Sequence, residues 1–289
     1  MPVSMSGEVL KQVALPLALF TVLFGMGLSL VPEDFRRVFR HPKAKLVGLA
    51  CQLAVLPAAA FALALLFRLP GEVAVGLMVL ASCPGGATSN VITHLSRGDT
   101  ALSVTLTAAS SMACVFTIPW IVGWSMDFFL GGSAAVQLPF WKTLLQLALV
   151  TILPIACGMA VRAARPAFAQ RLEKPAGIFA IAFLALIIAA AVAREQNLAH
   201  QFAVAGPAAI ALNLVAMSLS FAAGWAFRLP KPQRTTISIE AGIQNGTLAL
   251  AIALGLLDSP AIAMPAVVYS LFMFVSGGAM IALFGRRAP

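Results

Sequence analysis

A chain of 289 residues in which 61% are hydrophobic and only 10% are charged lacks the residues to clothe a soluble globule, so that class is excluded. Its net charge of +9 does not point to nucleic acid, because the basic residues fall in short connections between apolar blocks. A β-barrel is excluded too. The blocks run about 19 residues or more, enough to cross roughly 30 Å of hydrocarbon, whereas barrel strands alternate every second residue and run about ten.

The blocks predict an all-α polytopic membrane protein with nine transmembrane helices, at about 8–31, 44–67, 71–96, 99–126, 138–161, 175–194, 201–227, 231–257 and 260–284. The first block is long and is not followed by a small-residue cleavage site, so it reads as a retained span rather than a signal peptide. Span two carries one mid-membrane amide, Gln52, a candidate ligand or an interhelical hydrogen bond. Span three holds Cys83-Pro84-Gly85-Gly86-Ala87-Thr88-Ser89-Asn90 at its middle. Proline and paired glycines interrupt the helical hydrogen-bond ladder, and the freed backbone groups must find partners other than lipid. Span four offers Ser103 and Thr107, one turn apart on one face, which either bond to the carbonyls one turn back or serve as ligands. Trp120, Trp124 and Trp141 gather at the outer ends of spans four and five, as an aromatic belt does. Span eight is interrupted in its turn by Glu240-Ala241-Gly242-Ile243-Gln244-Asn245-Gly246-Thr247.

Cys51, Cys83, Cys114 and Cys157 lie inside apolar blocks without ligand spacing and read as small buried side chains. His94 reads as interfacial, and His41 and His200 as loop residues. Fifteen of the nineteen Lys and Arg residues fall on one side of the nine-span plan, which sets the C-terminus in the cytoplasm and the N-terminus outside an inner membrane.

The interrupted spans stand third among the first four and third among the last four, and the two sets enter the membrane from opposite sides. That is a 4+1+4 inverted repeat: residues 1–134 form the first unit, 135–170 the connecting span five and 171–289 the second unit. Matched broken helices in such repeats point to a transporter's substrate and ion site.

Of the ten acidic residues, Glu240 alone falls near mid-membrane, where a charge costs about 2.5–3.5 kcal/mol on the insertion scale. No Lys or Arg lies deep in a span to pair with it, so Glu240 is either protonated or neutralised by a bound cation. Gln244 one turn on, Ser89 and Asn90 in the other broken span, Ser103, Thr107 and Gln52 supply the amide and hydroxyl oxygens a hard cation takes. A single carboxylate favours a monovalent ion over a divalent one.

These stretches, with Phe24-Gly25-Met26-Gly27-Leu28, Pro32-Glu33-Asp34-Phe35 and Gly98-Asp99-Thr100-Ala101-Leu102-Ser103, resemble the bile acid:sodium symporter family over nearly the full length. The resemblance implies two sodium ions. The first would be held by Ser89, Asn90, Ser103, Thr107 and Glu240. The second would be held by Gln52, Glu240 and Gln244 with the backbone carbonyls of Ala241 and Ile243. It implies a core of spans two to four and seven to nine, and a panel of spans one, five and six. The chain resembles the nine-span members rather than the ten-span bacterial ones.

The resemblance further implies an organic anion as substrate, with Thr88 and Asn245 as contacts, in a lipid-embedded carrier with no nucleic-acid partner. The order Gly86-Ala87-Thr88 departs from the family's usual placing of Thr before the small residue. Alternatives are a proton-coupled or sodium-independent carrier of this architecture, arsenite-type exporters included, and more remotely a channel or receptor. An intramembrane enzyme would need a nucleophile–base pair or metal ligands in the spans, and the spans offer no such pair. Substrate identity, stoichiometry and oligomeric state stay open at this point.

Overall fold

The computed structural model describes residues 15–29, 42–86, 88–131, 140–194 and 198–285. Among them the regular structure is helical, apart from one isolated β-bridge. In chain order the helices are α1 (Leu15–Ser29), α2 (Pro42–Ala50), α3 (Leu56–Leu66), α4 (Gly71–Ser82), α5 (Thr88–Leu95), α6 (Thr100–Leu130), α7 (Phe140–Ala164), α8 (Pro166–Arg194), α9 (Leu198–Ala226), α10 (Lys231–Gly242), α11 (Gly246–Ala251) and α12 (Pro260–Phe284). A π-helical turn, Cys51–Val55, joins α2 to α3, and a second, Ile252–Leu256, extends α11. The segment Pro32-Glu33-Asp34-Phe35, Ala87 and the ends of the first expected span lie outside the described residues.

The stretches Lys43–Leu66, Ala199–Ala226 and Pro260–Phe284 are each long and apolar enough to cross a membrane unaided. The two halves of α6 do so together, bent by 56° between Cys114 and Phe116. Pro119 accounts for the bend, since it has no N–H to give the carbonyl four residues back, which is that of Val115. The outer face of α6 shows Met112, Phe116, Trp120, Trp124 and Phe128 at four-residue spacing, an exposed apolar stripe suited to lipid.

Two helix ends repeat one local design. Phe67-Arg68-Leu69-Pro70 closes α3 and Phe227-Arg228-Leu229-Pro230 closes α9, with Arg68 at φ 50° and Arg228 at φ 55°. Leu69 N–H donates to Ala64 O at 3.0 Å and Leu229 N–H to Gly224 O at 2.9 Å. Both are Schellman-type caps in which an arginine takes the left-handed position that glycine usually fills. A cation at a helix C-terminus is favoured by the macrodipole, which offsets part of the backbone strain. Arg97 (φ 54°) and Asp258 (φ 48°) make the next turn in each half, and Asp99 and Ser259 then cap α6 and α12 through their side chains.

α1 packs on α7 and α8. The α1–α7 contact is so close that a Cβ on Gly27 would fall on the Ile155 carbonyl, and one on Gly158 on the Phe24 carbonyl. Small residues of this kind let membrane helices approach without a hydrophobic drive between them. The remaining helices pack round α4 and α10, whose inner residues are almost all buried. The expected connection after span five differs from the structure. Only Arg165 separates α7 from α8, so Arg171 and Lys174 lie on helix, and the expected boundary at 170/171 falls inside α8. Pro166 at the first helical position starts α8 early, and the exposed Arg171 and Lys174 that follow need no hydrocarbon around them.

Candidate functional site

The two interruptions meet. α4 ends at Ser82, and Cys83 turns extended (φ −71°, ψ 154°). α10 ends at Gly242, and Ile243 does the same (φ −108°, ψ 93°). Gly85 and Gln244 then pair as an antiparallel bridge: Gly86 N–H donates to Ile243 O at 2.8 Å and Asn245 N–H to Pro84 O at 2.9 Å. Backbone groups freed by one break are thus satisfied by the other, as a buried chain requires. Gly85 has to be glycine, because a Cβ there would land on Oε1 of Glu240.

Glu240 sits in the last turn of α10, 3% exposed. Oε2 accepts hydrogen bonds from Ser89 Oγ at 2.8 Å and Ser103 Oγ at 3.0 Å, and Oε1 accepts one from Thr107 Oγ1. Ser89 comes from α5, while Ser103 and Thr107 come from neighbouring turns of α6. Thr107 Oγ1 also reaches the Ser103 carbonyl at 3.1 Å, so the back-bonding open to it from sequence is present beside the carboxylate contact. Asn90 is half-buried beside Ser89, and its Oδ1 has no hydrogen-bond partner among the described residues.

The second group of residues is joined through amides. Gln52 Nε2 donates to Gln244 Oε1 and to Cys83 O, both at 2.9 Å. Gln244 Nε2 donates to Ala241 O at 2.8 Å. Gln52 stands on the π-helical turn before α3, whose extra residue turns the amide toward the breaks. Pro57, just beyond, lacks the N–H that would close an ordinary turn on Leu53. The Ile243 carbonyl is taken by Gly86 N–H. Thr88 is half-buried in the first turn of α5. Asn245 is buried and caps α11, its Oδ1 accepting from Leu248 N–H at 3.0 Å.

Two residues at the breaks went unread in the sequence. The Gly242 carbonyl, which has lost its helical partner, accepts from Asn213 Nδ2 on α9 at 2.7 Å and from Tyr269 OH on α12 at 3.0 Å. Both side chains are fully buried. An asparagine in the middle of an apolar span and the chain's single tyrosine were the signals available, since each polar group costs free energy at that depth.

A chain whose described residues are helical, with lipid-ready faces and two interrupted helices bound to each other round a buried acid, falls in the class of multi-pass membrane carriers. Comparison with known proteins makes that specific. Residues 16–202 match the family described as the Sodium Bile acid symporter family. The uncharacterized sodium-dependent transporter YocS of Bacillus subtilis is 29% identical over 267 residues, covering 92% of this chain and 81% of that protein. The probable sodium/metabolite cotransporter BASS2 of rice chloroplasts is 30% identical over 276 residues, 93% of this chain and 64% of that one. The human sodium/bile acid cotransporter 4 is 28% identical over 243 residues, 81% of this chain and 54% of that one. The chain spans less than two thirds of the latter two proteins' own length. It belongs to the sodium bile acid symporter family, and is a sodium-dependent membrane transporter rather than an enzyme.

Proposed function

We propose that this chain is a sodium-coupled symporter that carries an organic anion, bile-acid-like or a small carboxylate such as pantoate, across the inner membrane by alternating access. One observation carries the reading. Glu240 is buried where two interrupted helices join, with three hydroxyls on its oxygens. Bound sodium would offset the cost of that charge and hold the two breaks together.

Two ions are proposed. The first takes Ser89, Asn90, Ser103, Thr107 and Glu240, and the unpartnered Oδ1 of Asn90 supports this as a ligand still to spare. The second takes Gln52, Glu240 and Gln244 with the carbonyls of Ala241 and Ile243. There the Gln244 amide turns from the Ala241 carbonyl it now meets, freeing that oxygen for the ion. Thr88 and Asn245 are proposed to meet the substrate. The Asn245 Oδ1 is committed to its cap, which leaves Nδ2 as the donor to an anion.

The architecture proposed is nine spans in a 4+1+4 inverted repeat, with the N-terminus outside and the C-terminus cytoplasmic. The paired Phe-Arg-Leu-Pro turns, one in each half, support it. Spans one, five and six would rock as a panel against the rest, which the mutual packing of α1, α7 and α8 supports.

The test is uptake into proteoliposomes together with melting temperature in detergent, sodium against potassium, with bile salts, pantoate and pyruvate as candidate anions. A ligand that binds only the folded state raises the melting temperature by mass action. Sodium-specific stabilisation and sodium-dependent uptake are expected. Uptake indifferent to sodium but abolished by a proton uncoupler overturns the coupling.

A further inference from the structure

The half-helix α5 carries more buried oxygen than the site around Glu240 uses. At 100° per residue, Ser89 and Thr93 of α5 and Ser96, in the turn that closes it, stand on one face within about 60° of one another. All three are buried, at 0%, 0% and 1% exposure. Ser89 is spent on Glu240. Thr93 Oγ1 and Ser96 Oγ are enclosed and have no hydrogen-bond partner among the described residues. A hydroxyl left unpaired in an apolar interior costs about 1–3 kcal/mol, so two on one face ask for a ligand.

The geometry says what this face looks onto. A Cβ built on Gly98 lies 2.7 Å from Thr93 Cγ2 and 2.7 Å from Thr236 Oγ1, so Thr93 and Thr236 of α10 close on the same spot. Thr236 Oγ1 accepts from Asp99 N–H at 2.7 Å and donates to Pro232 O at 2.9 Å. The half-buried Asp99 carboxylate accepts from Leu102 N–H through Oδ1. Buried hydroxyls thus recur from Ser89, beside Glu240, through Thr93 to Ser96, next to the exposed Arg97 turn and the Asp99 cap. From Ser89 to Ser96 the path is about 10 Å at 1.5 Å per residue.

We propose that Thr93 and Ser96 are transient sodium ligands, lining the route by which the ion passes between Glu240 and the Arg97 end of the molecule. The inference rests on the sodium reading above. The chemistry fits a monovalent hard cation: neutral hydroxyls spaced by a helical turn, weak enough singly to release the ion, with one carboxylate at each end of the run.

The experiment replaces the four native cysteines by alanine in the full-length protein and introduces Thr93→Cys, Ser96→Cys or the control Ile92→Cys. Ile92 is also buried and lies one turn before Ser96, but its side chain is packed against Gly277 of α12. Silver, a thiol-reactive monovalent cation, is applied in detergent with sodium or potassium present, and thiol loss is timed. Thr93→Cys and Ser96→Cys are expected to react at least tenfold faster than Ile92→Cys, and sodium is expected to slow them where potassium does not. Reaction as slow as the control, or equally fast in both salts, overturns the proposal. Ser96→Cys, closer to the surface, decides the matter should Thr93→Cys not fold. Absence of any sodium-specific melting shift in the parent protein would sink the sodium reading itself, independently of the silver rates.

Discussion

Gly85→Ala tests whether the contact between the two breaks governs ion binding. The added methyl would fall on Glu240 Oε1, close also to its carboxyl carbon and Cγ. The carboxylate cannot yield without leaving the hydroxyls of Ser89, Ser103 and Thr107, and the backbone cannot yield without opening the bridge to Gln244. Overpacking of this kind costs about 1–3 kcal/mol. If that cost falls on the ion-bound form, sodium affinity drops roughly 5- to 150-fold. The assay is the melting shift of purified protein with sodium held near a hundred times the wild-type Kd. Wild-type stabilisation there is about 2.7 kcal/mol, and the variant's falls to between about 1.8 and 0.3 kcal/mol. Gly123→Ala is the control, since a Cβ there meets nothing within 4 Å. A Gly85→Ala protein that folds and keeps the full sodium shift would refute the reasoning, as would an equal loss in the control.

Glu240→Gln keeps the shape and removes the charge, and is expected to abolish the sodium-specific melting shift while the protein still folds. Loss of either Asn213 (to Leu) or Tyr269 (to Phe) leaves the Gly242 carbonyl one donor, so each is expected to cost about 1 kcal/mol. The double variant strands that carbonyl, and its extra cost of about 1–3 kcal/mol should appear as non-additivity in a denaturant cycle. Ser259→Ala removes the cap of α12 and the 3.1 Å bond to Glu72; about 1 kcal/mol of stability should go, with sodium affinity unchanged in a titration of melting temperature.

What was legible in the sequence was what one segment decides for itself. The apolar blocks fix where helices can lie in a membrane, and Pro84, Gly85 and Gly86 weaken one of them wherever it packs. Glu240 stood out because a carboxylate at that depth is costly whatever surrounds it. The π-helical turns did not stand out, since an extra residue in a turn is settled by what the neighbouring helices receive; Pro57 hints at the first, and nothing local marks the second. The Phe-Arg-Leu-Pro turns are readable in both halves, but an arginine does not by itself announce a left-handed backbone, which glycine usually takes.

Asn213 and Tyr269 were missed for a deeper reason. Their partner is a carbonyl 29 and 27 residues away that becomes free only once α10 is broken, so their function exists only after the break does. Glu240 shows the same logic at longer range. Its three hydroxyls lie 151, 137 and 133 residues away in sequence, on two different helices. No spacing rule could have joined them. The bridge between Gly85 and Gln244 does so, by bringing α5 and α10 to the same point. Residues chosen from sequence for their chemistry become a site only through that bridge, so its disruption should be felt at the ion before it is felt in the fold.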